Sequence, residues 1–276
     1  MFRVSFVLAV VVLVGSFTAT TPAFCDAGFD LSSPTSGPLI TNANLWKNNS
    51  RSLSPVPIAV GEDDQPSVRR ATALLQDVRS ASFPELAHVD IQVRPFQSDS
   101  DYFRTRFSWS RYASLRKMRF YIEVNPRVFE RGAPEAGVRA IIAHELEHVL
   151  YLSRRNRIGL LSLGRLASAD YRMRFERSAD LGAIARGYGD GLSQYRAWLY
   201  KNVPAGALKE KRRDYYSPDE IAAIASVLKK QPTVLRYWRQ HTPKNLAEIQ
   251  NGVRASNRLL KKEDKRTIHQ PTQNKH

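Results

Sequence analysis

The chain has 276 residues and a mass of 31.3 kDa, enough to bury a substantial core in one or two domains. Apolar residues make up 42%, charged residues 25%, and the mean hydropathy is −0.40, which excludes a disordered chain and a polytopic membrane protein. Lys and Arg outnumber Asp and Glu by 42 to 26, giving a net charge of +16, and the single cysteine excludes a disulfide framework or a cysteine-based zinc module.

The N-terminus reads as an address. Arg3 precedes an apolar run from Val4 to Val14 broken only by Ser5, and small and polar residues follow from Gly15 to Ala23. This is the layout of a secretory signal peptide over residues 1–25, with cleavage after Ala23, Cys25 or Ala27. The run is shorter than the about 20 residues a membrane span needs, so the mature chain is expected to be secreted or periplasmic with no span. Residues 26–66 are rich in Pro, Ser, Asn and Gly and carry no sustained period, as expected of a linker or flexible arm.

Periodicity then sets in over residues 67–260. Val68, Ala71, Leu74, Leu75 and Val78 predict a helix from Ser67. Val89, Ile91 and Val93 alternate with polar residues and predict a strand, as do Phe120, Ile122 and Val124, the second ending at Pro126. A long helix follows from Pro134 to about Ser153, with Val138, Ile141, Ile142, Val149 and Leu152 as its apolar contacts. A second is expected over 169–187, stopped by the glycines of RGYGDG, and a third in LSQYRAWLY. Ser217-Pro218-Asp219-Glu220 is a capping box that starts another, and the last helix begins near Thr242-Pro243. From residue 261 the chain is polar and basic and reads as a frayed tail. The sum is α+β: a mostly helical domain with a small sheet before the long helix.

That long helix contains His144-Glu145-Leu146-Glu147-His148. With about 100° per residue, His144 and His148 share one face one turn apart, and both imidazoles can reach one ion. Glu145 lies beside that face, where it can touch a zinc-bound water without ligating the metal. A catalytic zinc needs a third protein ligand and an open fourth position. No HExxHxxGxxH continuation exists, and the best candidate is Glu176 on the next predicted helix. Asp180, four residues on, can accept the free ring N–H of a zinc-bound histidine. The competing reading is a solvated acidic face paired with Arg174 or Arg177.

HELEH followed by Glu176-Arg177-Ser178-Ala179-Asp180 (E-x-x-A-D), with MRFYIEVNP ahead of the motif helix, resembles the gluzincin zinc metallopeptidases over residues 118–190. The resemblance implies a zincin-like fold with His144, His148 and Glu176 as zinc ligands, Glu145 as catalytic base and Asp180 as a partner behind the ligands. The membrane helices of that family are absent, so the match is to its soluble exported members. Glu147 stands where a small residue is more usual, and either pairs with an arginine or disfavours acidic substrates.

The expected function is a zinc-dependent endopeptidase acting on envelope or extracellular proteins. The alternatives are a catalytically weak envelope binding or chaperone-like protein with a structural zinc, and a cell-wall peptide amidase. The strand at Tyr121 to Val124 is expected to hold an extended peptide by edge pairing. Tyr188, Tyr195, Arg196, Tyr200, Tyr215 and His241 are candidates for stabilising an oxyanion. Basic runs at Arg154-Arg155, Lys209 to Arg213, Lys229-Lys230 and Lys261 to Arg266 read as a solvated basic surface without a dedicated partner or, given the expected export, as contacts for an anionic envelope surface rather than nucleic acid.

Overall fold

The computed structural model describes residues 59–60 and 65–268. The expected signal peptide (1–25), most of the expected linker and the end of the basic tail lie outside the described residues. Within the expected linker, β1 (Ala59–Val60) pairs with a later strand, so ordered structure begins earlier than composition suggests. Helix α1 (Pro66–Ser82) follows, with Pro66 at its first turn, and buries Val68, Ala71, Leu74, Leu75 and Val78.

Four strands form one sheet. β2 (Asp90–Pro95) and β4 (Arg119–Val124) are parallel neighbours, β1 flanks β2, and β3 (Phe103–Phe107) lies antiparallel on the far side of β4. β3 is absent from the sequence reading, although Phe103, Thr105 and Phe107 alternate with Arg104 and Arg106 and bury as that period requires. The order corrects one expectation: β4 is paired on both sides, so Tyr121 to Val124 has no free edge, and the exposed edge near the long helix belongs to β3.

The short helix α2 (Trp109–Ala113) joins β3 to β4, and α3 (Arg127–Glu130) leads from β4 into α4 (Glu135–Ser153). α4 is buried on most of its circumference because it separates two apolar clusters. One packs Ile142, Leu146 and Val149 against the inner sheet face and α1. After α5 (Arg157–Leu161), α6 (Ala169–Ala183) and α7 (Gly189–Asn202) flank α4. The glycine string expected to stop the 169–187 helix only kinks it: residues 184–188 form a wide helical turn with Gly187 at φ 92°.

The remaining helices are α8 (Ala205–Asp214), α9 (Pro218–Lys230), α10 (Val234–Gln240) and α11 (Leu246–Ile268). α9 opens on the expected capping box, in which Ser217 and Glu220 each accept the other's backbone N–H. The second apolar cluster packs Leu181, Leu192, Ile221, Ile224, Trp238 and Ile249 around Tyr216. α11 runs to Ile268, so the chain from residue 261 continues a helix rather than fraying. α8 escapes a reading by periodicity because its Lys, Glu and Arg residues leave it almost no apolar stripe.

α4 and α7 approach closely at Gly191, where a Cβ would overlap the carbonyl oxygen of Ala136. Gly191→Ala must therefore push α7 away from the helix that carries the HExxH motif. It should cost about 1–3 kcal/mol of stability. A lowered urea midpoint with unchanged slope checks this, and an unaltered midpoint would contradict the close contact.

Candidate metal centre

Three donor atoms from two helices meet between α4 and α6. His144 Nε2 lies 3.0 Å from His148 Nε2, and Glu176 Oε2 lies 3.2 Å from each. The group His144, His148 and Glu176 could hold a metal ion. The one-turn spacing on α4 sets the two imidazoles side by side, and α6 supplies the carboxylate. Phe175, next to Glu176, stacks on the His148 ring with centroids 4.4 Å apart and also meets Tyr151.

Behind the donors is a buried ionic chain. The outer nitrogen of His144, Nδ1, is 2.8 Å from Asp180 Oδ1. Asp180 is 0% exposed, and Arg196 on α7, at 1%, donates to both its oxygens at 2.9 and 3.2 Å. The backbone N–H of Tyr216 also donates to Asp180. A buried carboxylate with these donors is satisfied; without them it would be a severe cost.

Sequence offered Arg174 and Arg177 as competing partners for this acidic face. Arg174 pairs with Asp170, and Arg177 with Glu220 and two backbone carbonyls, so neither takes Glu176 or Asp180.

Electrostatics follow from burial and these contacts. Burial opposes a charge on His144, but Asp180 and Glu176 together push its pKa up to about 10. Burial also opposes ionisation of Glu176, yet the two imidazoles hold its carboxyl well below the usual range. Asp180 is likewise lowered, against its burial, by Arg196 and His144.

Glu145 reaches the sheet at β3. Its Oε2 accepts a 2.7 Å hydrogen bond from the Thr105 hydroxyl, which also contacts the Glu145 carbonyl at 3.1 Å. Burial pushes the Glu145 carboxyl up, opposed by both imidazoles and by Thr105. Glu145 lines a small pocket with Phe103, Tyr195, Arg196, Lys211 and Tyr215.

Of the six oxyanion candidates, Tyr195, Arg196 and Tyr215 reach this pocket, but Arg196 is occupied by Asp180. Tyr188 bonds Ser82, Tyr200 lies under Arg212, and His241 stacks on Tyr237. Glu147 pairs with Arg186 at 2.7 Å, and Arg186 also holds Glu85 and the Ser82 carbonyl. The extra acid in the motif is thus a clamp between α4 and the end of α1.

Sequence reasoning missed Thr105, Phe175 and the Asp180–Arg196 pair. The alternation in β3 was a usable signal for Thr105. No spacing rule connects residues 180 and 196, because the kink at Gly187 sets where α7 returns.

Two outcomes follow. Asp180→Ala should lower divalent-metal affinity about 10- to 100-fold by freeing the His144 ring. It should also cost about 3–5 kcal/mol by stranding Arg196. Competition with a chromogenic chelator and urea unfolding read the two effects separately.

Acidification should weaken metal binding. The folded metal-free chain holds a proton on His144 up to about pH 10, and the cation must displace it. Affinity should therefore fall about tenfold for each pH unit lost through the neutral range. A pH-independent affinity would contradict a histidine-bound ion. Compared with protein-family models, curated proteins and solved structures, the chain matches none of them.

Proposed function

We propose that the chain is a zinc metallopeptidase of zincin-like architecture, exported to the periplasm or beyond, that hydrolyses peptide bonds of extended protein segments. The observation that carries the reading is a face of three donors with the Glu145 carboxylate beside it. Four-coordinate zinc with bonds of 2.0–2.1 Å keeps its ligands about 3.3–3.4 Å apart. The observed separations of 3.0 and 3.2 Å fit one face of that tetrahedron. Two imidazoles and a carboxylate are also a donor set zinc accepts.

The protein donors number three among the described residues, and a structural zinc takes four. This favours the enzyme over a protein with a structural metal. The resemblance of HELEH and ERSAD to the gluzincin motifs points the same way.

When bound, zinc supplies Lewis-acid chemistry: it lowers the pKa of water to about 7 and polarises a carbonyl. The chain's own residues do the rest. Glu145 takes the proton of the attacking water and returns it to the leaving amine. Its carboxyl, raised by burial, suits a group that must both accept and release a proton. Thr105 holds one carboxylate oxygen, leaving the other for that exchange. Asp180 and Arg196 fix the His144 ring so that Nε2 faces the ion.

Tyr215 is the candidate for stabilising the oxyanion. Its ring lies 5.9 Å from that of His144, and burial raises its hydroxyl well above the ordinary range, so it stays a proton donor.

The substrate lies along β3. In the ladder with β4, residues 104 and 106 face inward, so the backbone groups of Phe103, Thr105 and Phe107 point outward. An added strand would bond there, next to Glu145.

Casein hydrolysis by the purified chain should stop on chelation and return with zinc. Glu145→Gln should retain zinc and lose about 10²- to 10⁴-fold in kcat. Tyr215→Phe should lower kcat with KM and zinc content retained. Full activity in Glu145→Gln would remove the assigned base, and no chelator-sensitive hydrolysis would remove the peptidase reading.

A further inference from the structure

We infer that α2, the turn after it and α5 form a docking surface for an anionic lipid bilayer. The inference is independent of the proposed catalysis. The chain has 26 acidic residues, yet none falls in residues 107–118 or 151–169. These two segments are joined in space. Arg157 donates to the carbonyls of Arg111, Tyr112 and Arg116, and the Tyr112 hydroxyl returns a 3.1 Å bond to the Arg157 carbonyl.

The joined surface is apolar at its crest. Of the six large apolar side chains exposed among the described residues, four belong to it: Trp109 at 44%, Leu115 at 77%, Ile158 at 78% and Leu161 at 55%. Ile158 and Leu161 are three apart on α5 and so share a side of that helix. Leu115 projects from a left-handed backbone, φ 57°, which disfavours any side chain. An aliphatic residue in a disfavoured conformation that leaves 77% of its surface exposed gains little from folding.

Cations surround the crest. Arg116, Lys117, Arg154 and Arg165 are all exposed. Among the described residues, no ion pair joins any of these four to a carboxylate. Other exposed cations of the described residues, such as Arg94, Arg212 and Lys229, also have no ion pair, and what sets these four apart is the acid-free apolar crest in the same two segments.

Aliphatic and indole side chains next to unpaired cations fit the boundary between acyl chains and phosphate headgroups. Tryptophan favours that boundary. A nucleic acid would use the cations but leave Leu115 and Ile158 in water. α5 follows α4 by three residues, so a docked surface would fix the orientation of the helix carrying His144 and His148 toward the membrane.

Vesicle co-sedimentation of the full chain tests this. The vesicles would be phosphatidylcholine alone, or phosphatidylcholine with phosphatidylglycerol. The parent should bind the anionic vesicles at least about tenfold more tightly, and added salt should weaken binding. Leu115→Ser with Ile158→Ser, and separately Arg116→Glu with Lys117→Glu, should each lose about tenfold while keeping the circular dichroism of the parent.

The N-terminal apolar run is common to all variants, so a loss confined to the variants reads this surface. Equal binding to neutral vesicles, or undiminished binding by both variants, would overturn the inference. A concentration-dependent dimer abolished by the serine variant would assign the surface to self-association instead. Retention on polyglutamate without vesicle binding would assign it to an acidic protein.

Discussion

Two buried imidazole nitrogens and the oxygen of a part-buried carboxylate lie within 3.2 Å of one another. With the Nδ1 proton of His144 held by Asp180, the His144 Nε2 is an acceptor beside the Glu176 carboxylate, and in a low-dielectric interior such lone pairs favour a proton or a cation among them. A proton can serve, and the raised pKa of His144 expresses that. A divalent cation serves better, because it satisfies all three at once. The surrounding structure reads as the scaffold that holds these acceptors together.

That scaffold is built from rigid contacts. α4 sits between two apolar clusters, so its motif face cannot rotate without disturbing both. α6 is fixed against it by the stacking of Phe175 on His148 and by the Glu147–Arg186 pair beyond. Asp180 and Arg196 bring α7 into the same arrangement, each satisfying a charge the other could not leave buried alone. Among the described residues the donor set numbers three, and Glu145, next to His144 in the chain, lines the pocket that Tyr195 and Tyr215 also line.

The legible part of this protein was local. The apolar period of α1, the alternation in β2 and β4, the capping box of α9 and the one-turn spacing of His144 and His148 all follow from chain geometry alone. Glu176 could be nominated because a metal needs a third ligand, and its carboxylate does reach both imidazoles.

What resisted was whatever depended on tertiary return. The free edge was placed on β4, because nothing in the sequence announces that β3 pairs back onto it. Arg196 was read as an oxyanion candidate, since its distance from Asp180 is set by a kink at Gly187. Helix α8 was overlooked because it is held by its neighbours rather than by an apolar stripe. The role of Glu147 depends on tertiary return as well: its partner Arg186 lies within a wide turn where the glycines predict a helix stop.

The most direct test of the central claim is X-ray absorption at the zinc edge on the purified full chain, with metal content measured in parallel. The account predicts about one zinc per chain, bonded only to nitrogen and oxygen at about 2.0–2.1 Å, with outer-shell scattering from two imidazoles. Zinc at trace levels, or a shell containing sulfur or lacking imidazole, would contradict the convergence of His144, His148 and Glu176 on one ion.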